Sequence, residues 1–230
     1  PFAVIECKTP QISVEQAVEQ NIRNQQKEYI PQLYKFVQIV MATNKNAVKY
    51  ATTATPKKFW NVWKEQGTAF LEAALAQYVT DRTPTEQDQN LISLFSKERV
   101  IELIRYFVLF DANVKKICRY QQYFAIKEII KTIQQSDEKG NRQSGVIWHT
   151  QGSGKSLTMV WLSKWILENN PNARVLVVTD REELDEQIEK NFKGVDENIV
   201  RTKSGKDLLE RLNAFDAVSY THLRAHETGA

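Results

Sequence analysis

The stretch "GVIWHTQGSGKSLTMVWL", residues 145–162, decides how this chain is read. An apolar run of strand length, "GVIWHT" (145–150), gives way to the glycine-rich loop "QGSGKS" (151–156). A helix-spaced run, "LTMVWLSKWILEN" (157–169), follows. In a strand–loop–helix frame, Gly152 and Gly154 let the backbone curl so that its N–H groups point inward at a phosphate. Lys155 then reaches the β- and γ-phosphates as a point charge, and the Ser156 hydroxyl is placed to ligate Mg²⁺. Thr150, Gln151 and Ser153 complete the cradle, and the expected ligand is ATP. The strictest form of the pattern is not met, because His149 stands where its first glycine would be. The plain alternative is a glycine-rich turn carrying a solvated lysine.

Working outward, "ARVLVVTD" (173–180) reads as a strand and "REELDEQIEKNF" (181–192) as a helix. That alternation predicts a parallel sheet covered by helices. Asp180 and Arg181 fall at the carboxyl end of the strand, where such sheets present a ligand crevice. Either could touch nucleotide or a nucleic-acid backbone. Asp180 is equally suited to capping the next helix, with Glu182 and Glu183 in its first turn. A last strand begins at "FDAV" (215–218), after which the text turns polar and strand-breaking.

Towards the start lies a smaller α/β unit. "FAVIEC" (2–7), "FVQIVMATN" (36–44) and "AVKYATTAT" (47–55) have strand character. Between the first two, Val14, Ala17, Val18 and Ile22 recur at helical spacing, in a helix that Pro31 should end. Residues 55–90 look irregular, with Pro56, Gly67, Pro84 and "TDRTPTEQDQN" marking loops around an aromatic patch at Trp60 and Trp63. Helices are expected over 96–110, N-capped by Ser96, and over 120–136. The polar stretch 136–145 then leads back to the phosphate loop.

The chain has 230 residues and a net charge of +3, which is compatible with nucleic acid but too small to argue for it. No apolar run approaches the length of a membrane span. The two cysteines, Cys7 and Cys118, are far apart, which argues against a disulfide framework and for a reducing, cytoplasmic setting. The first residues look like the middle of a strand, suggesting a piece of something longer.

"VIECK" (4–8) puts Glu6 and Lys8 on one face of a strand. A solvated strand end explains such a pair. Metal-dependent phosphodiester cleavage uses the same pair, with Glu6 holding Mg²⁺ and Lys8 placing water or stabilising charge on phosphate. Gln25 and Tyr29 are four apart and should share a helix face beside that site; a polar face with a core tyrosine is the alternative.

In this order and spacing, "VIECKTP" (4–10), "QQKEYIPQLYKF" (25–36), "RYQQYFAIKEII" (119–130) and residues 145–162 continuing to "VLVVTDREELDEQI" (175–188) resemble the restriction (R) subunit of type I restriction–modification enzymes. The resemblance runs from residue 1 to about 215. It implies a partial PD-(D/E)xK nuclease domain followed by the first part of a RecA-like superfamily 2 helicase lobe. It also implies ATP and Mg²⁺ as cofactors, double-stranded DNA as substrate, and specificity and methyltransferase subunits as partners.

On this likeness Glu6 and Lys8 match the nuclease E-x-K, and Gln25 and Tyr29 match its Q-x-x-x-Y helix, all four being assigned to catalysis. Gln122 matches a glutamine that helps read adenine, its amide offering both a donor and an acceptor. Residues 150–156 match helicase motif I, and Thr179–Arg181 match motif Ia. The implied layout is nuclease over 1–85, a helical connector over 86–120, the ATP-binding lobe over 121–218, and a tail at 219–230 foreign to the protein. Two family features fall outside this text: a metal-binding aspartate on the strand before "VIECK", and the Walker B carboxylates. Little activity is expected of these residues alone. His222 and His226 are four apart, but without a nearby carboxylate they do not make a metal site. The competing reading is a superfamily 2 helicase or remodelling ATPase whose first unit binds DNA without cutting it.

Overall fold

A computed structural model describes residues 1–111, 113–180, 182–195, 199–214 and 217–221. Arg181, His222 and His226 lie outside these residues. The described chain is mixed α/β and divides into two compact units, the first made of 1–109 with 114–127, the second of 110–113 with the residues from 128 on. The stretch 86–120, expected as a connector, packs almost wholly into the first unit.

The first unit is built on β1 (Ala3–Cys7), β2 (Ile39–Asn44) and β3 (Ala47–Ala51), in the order β1-β2-β3. β1 and β2 run parallel with Glu6 opposite Ala42, and β2 and β3 form an antiparallel hairpin. Parallel neighbours need a crossover, and α1 (Val14–Asn24) supplies it. Every residue of β2 is buried, which is why "IVMATN" reads as a continuous apolar run rather than an alternation. On one face Val40 and Ala42 join Val14, Ala17, Val18, Tyr34 and Trp60 in a core beneath α1.

α1 starts where the Ser13 side chain accepts the Glu15 N–H. It stops at Asn24, well before Pro31. The apolar stripe ends at Ile22, and the next inward positions are Gln25 and Gln26, which bury nothing that would extend the helix. Their N–H groups instead bond the carbonyls of Ile22 and Arg23 three residues back.

The span 55–90 is more ordered than its loop signals suggested. It holds α2 (Ala69–Tyr78) and the first half of α3 (Glu86–Phe95). α3 opens on a capping box in which Thr85 and Asp88 bond each other's backbone, so "TEQD" is a helix start. Next come α4 (Lys97–Tyr106), the hairpin of β4 (Val108–Asp111) and β5 (Val114–Ile117), and α5 (Tyr120–Ile133). Ser96 stands at the α4 N-cap without a side-chain bond. The helix expected through residue 110 yields to β4 after Phe107, because "VLF" finds a strand partner in "VKKI". Trp63 donates to Ser93 Oγ (2.7 Å), and Arg99 to both oxygens of buried Glu65 (2.8 and 3.3 Å). Burial works to raise the Glu65 pKa, but bonds from Arg99 and Ser93 outweigh it and hold the carboxyl below its usual range. Cys7 and Cys118 are both free thiols.

Asp88 tests the capping box. Its side chain is 13% exposed and takes two bonds from Arg82 (2.5 and 2.8 Å), which with the Thr85 bonds depress its pKa far below the usual carboxylate range. A depressed carboxylate stabilises the fold above its unfolded pKa and loses that contribution as pH falls, here below about 4. Asp88→Asn should lower stability at pH 7 by about 1 kcal/mol. The gap to wild type should narrow steadily as pH falls below about 4, read by chemical denaturation at each pH.

The second unit contains α6 (Lys155–Asn169), β6 (Val175–Thr179), α7 (Glu182–Gly194), β7 (Val200–Arg201), α8 (Gly205–Leu212) and β8 (Ala217–Thr221). Its strands are all parallel in the order β6-β8-β7, with Val177 opposite Ser219. β8 therefore continues through "SYT", past the point where its text suggested a break. The strand expected at 145–150 does not form. The segment has no regular secondary structure and pairs with no described strand, and Val146 and Trp148 are 92% and 91% exposed. Strand character in side chains is not enough without a neighbour to take the backbone bonds. Among the described residues no helix is long and apolar enough to cross a membrane.

Candidate functional sites

In the first unit, β1 carries Glu6 on the α1 side and Lys8 follows just past its end, anchored by its N–H to the Thr43 carbonyl (2.8 Å). Lys8 Nζ lies 3.0 Å from Glu6 Oε1, and the two side chains are only 19% and 18% exposed. A solvated strand end would leave both open to water, and this one does not. Lys8 also donates to Gln20 Oε1, from the middle of α1. A lysine thus bridges a carboxylate and an amide in a half-buried notch between strand and helix.

Gln25 and Tyr29 are not part of that notch. Because α1 ends at Asn24, the two do not share a helix face. Gln25 Oε1 accepts the Ala54 N–H (2.8 Å), while its amide donates to Asn21. It ties the helix end to a residue held at φ +60°. Tyr29 is half exposed, with the Arg23 guanidinium 5.4 Å from its ring. Gln20 is the residue missed from sequence. Its signal was its place one turn beyond Ala17 on the inward face, twelve residues past Lys8. Tyr34 also lies beneath α1, where burial first, and the nearby Glu6 carboxylate as well, push its phenol pKa up. Gln20→Ala removes one of the two acceptors of Lys8 and should cost about 1 kcal/mol of stability, read as a lower melting midpoint. Gln25→Ala should lower the midpoint by a similar amount, because it frees the Ala54 N–H; an unchanged midpoint in either variant would remove that bond from the account of the fold.

The residues present supply one carboxylate for a divalent ion. Among the described residues no three His, Cys, Asp or Glu side chains gather to hold a metal. A complete metal site is therefore not built by these residues, and no chemical step is derived through one.

In the second unit the loop does what its glycines predict. Gly152 and Gly154 take φ +78° and +85°, left-handed values that only glycine adopts freely, and α6 begins at Lys155. No side chain caps α6, so its first turn faces the loop. Lys155 Nζ donates to the carbonyls of His149 and Thr150, both at 3.2 Å, so its charge sits inside the curl of the backbone. Ser153 Oγ and His149 Nδ1 are buried without a hydrogen-bond partner among the described residues. A cradle with a cation inside it and an orphaned hydroxyl in its wall suits a polyphosphate. Ser156 follows Lys155 in the first turn of α6. Asp180 stands exposed at the carboxyl end of β6, before α7. Gln122 is buried in the first turn of α5, within the first unit, and its side-chain oxygen accepts the Arg119 N–H (2.8 Å).

A half-buried carboxylate–lysine pair in one unit and a phosphate-type loop in the other are the two candidate sites of this chain. Its matches with known families fall on the same two units. The family described as the type I restriction enzyme R protein N terminus matches residues 1–59, and the SWI2/SNF2 ATPase family matches 121–227. The Haemophilus influenzae type I restriction enzyme HindI endonuclease subunit is 31% identical over 220 residues, covering 92% of this chain and 19% of that protein. The Methanocaldococcus jannaschii protein described as a putative type I restriction enzyme MjaIXP endonuclease subunit is 30% identical over 224 residues, covering 91% and 21%. The Staphylococcus aureus SauCOLORF180P endonuclease subunit is 23% identical over 218 residues, covering 93% and 22%. The chain belongs to the family of type I restriction enzyme endonuclease subunits. It spans about a fifth of the length of these relatives.

Proposed function

We propose that this chain contributes the nuclease core and the start of the ATP-driven motor of a type I restriction endonuclease. The observation that carries the nuclease half is the Glu6–Lys8–Gln20 notch, whose half-buried charges a non-catalytic strand end would not keep. In this reading the first unit is part of a PD-(D/E)xK domain and the second the beginning of a RecA-like helicase lobe. Residues 1–85 hold the nuclease, and the ATP-binding lobe begins at 121.

Residues 150–156 hold ATP: the loop N–H groups bind the phosphates, Lys155 neutralises them, and Ser156 is the residue to hold Mg²⁺. Asp180 and Arg181 couple nucleotide to DNA. Glu6 would be one carboxylate toward a divalent ion. Lys8 stabilises charge on the cleaved phosphate, and Gln20 holds the Lys8 ammonium in place. Gln25 and Tyr29 act on the site at most through the end of α1. The substrate is double-stranded DNA, the partners are specificity and methyltransferase subunits, and the setting is the cytoplasm.

The test uses the full-length subunit assembled with its partners. Lys8→Ala should abolish ATP-dependent cleavage of duplex DNA and spare DNA-stimulated ATP hydrolysis. Undiminished cleavage would replace this reading with that of a remodelling ATPase whose first unit only binds DNA.

A further inference from the structure

Residues 29–64 hold six lysines, Lys35, Lys45, Lys49, Lys57, Lys58 and Lys64, and no Asp or Glu. The whole chain is only +3, so this run is strongly basic while the rest of the chain is net acidic. One sign of charge gathered on one stretch is the electrostatic footprint of a polyanion partner. The fold decides which of these lysines can act together. Lys49 is engaged by Glu15, and Lys57 by Glu19 at 2.6 Å, both carboxylates of α1. Lys35 and Lys58 are exposed and pair with no carboxylate among the described residues.

These two lysines belong to one cleft. It lies at the carboxyl end of α1, has a volume of about 400 Å³, and is lined by Gln25, Gln26, Lys35, Thr53, Thr55 and Pro56 among others, with no Asp or Glu in its wall. Pro56 leads directly into a single 3₁₀ turn, Lys57–Phe59, which puts Lys58 two residues from the wall, its Nζ 4.8 Å from the Phe59 ring centroid. The carboxyl end of a helix ordinarily repels an anion. Here the last four carbonyls of α1 are all covered. Asn21 accepts from the Gln25 amide, Ile22 and Arg23 from the N–H groups of Gln25 and Gln26, and Asn24 from the Ile30 N–H. The carboxylates flanking this end in sequence, Glu19 and Glu28, do not line the cleft.

Resting on DNA as the substrate, we propose that this cleft is a contact site for the sugar–phosphate backbone of the duplex, with Lys35 and Lys58 as the cations that meet its phosphates. The amide of Gln26 and the hydroxyl of Thr53 beside them suit a backbone of any sequence, because phosphate contacts position a duplex without reading its bases.

The experiment measures binding of the full-length subunit to a short duplex of arbitrary sequence over a range of salt concentrations. Wild type is compared with Lys35→Gln, Lys58→Gln, their double variant and Lys45→Gln. Lys45 is equally exposed and without a carboxylate partner, but it stands in the β2–β3 turn, at the opposite end of β3 from the cleft. Lys35→Gln and Lys58→Gln should each reduce the slope of log affinity against log salt by about 0.9, and the double variant by about twice that. Melting midpoints should stay at the wild-type value, as for most surface substitutions. Lys45→Gln should keep the wild-type slope. An unchanged slope in the double variant would overturn the contact site. An equal drop in Lys45→Gln would overturn it too, by making the run a diffuse field rather than a site. A wild-type subunit that fails to bind the duplex would instead remove the DNA reading beneath the proposal.

Discussion

Lys155→Ala in the full-length subunit should lower ATP turnover by about 10²–10³-fold, the usual cost of losing a group that stabilises transition-state charge. DNA cleavage should fall with it, because in this reading ATP-driven movement brings DNA to the nuclease. Lys155 Nζ already sits inside the loop, held by the carbonyls of His149 and Thr150. A phosphate exchanges those two neutral acceptors for ionised oxygens, and charge-assisted bonds are roughly twice as strong. The lysine is exposed, so the variant should melt within a degree or so of wild type, like most surface substitutions. ATP hydrolysis within threefold of wild type would leave "QGSGKS" as a glycine-rich turn and no more.

Lys8→Ala is expected to reduce cleavage by about 10³-fold while leaving ATPase intact, since a cation at the scissile phosphate acts on developing charge. Here a stability effect must be separated from a chemical one. Lys8 is half buried against Glu6 and Gln20, and its removal leaves both acceptors without their donor. That should cost about 1–3 kcal/mol of fold stability. Lys8→Met keeps the stem and its packing. It should therefore recover part of the melting midpoint that Lys8→Ala loses. Cleavage should stay lost in Lys8→Met; its recovery along with the midpoint would mean that Lys8 holds the fold and takes no part in chemistry.

Much of this was legible from local text. The βαβ start, the phosphate loop and the strand "VLVVT" all rest on short-range rules of periodicity and glycine chemistry, and each appears where those rules put it. The capping box at Thr85–Asp88 was equally legible and was hidden only by the Pro84 loop signal beside it. "GVIWHT" failed for another reason. Its side chains are those of a strand, but a strand exists only in the company of a neighbouring backbone, and no described strand pairs with it.

The sequence by itself determined which chemical groups this protein has and their local order. A carboxylate and a lysine alternate on one strand, and a glycine loop opens one helix, because strand alternation and left-handed glycine are properties of a few adjacent residues. Only the tertiary structure decided which groups meet. Gln20 rather than Gln25 reaches Lys8, and Tyr34 rather than Tyr29 is buried beneath α1. Both choices follow from where α1 stops, and that point is set by the end of its buried stripe over β2 and by the Gln25 bond to Ala54. Helix ends answer to such long-range packing, so the spacing of glutamines and tyrosines along the chain left the pairing open.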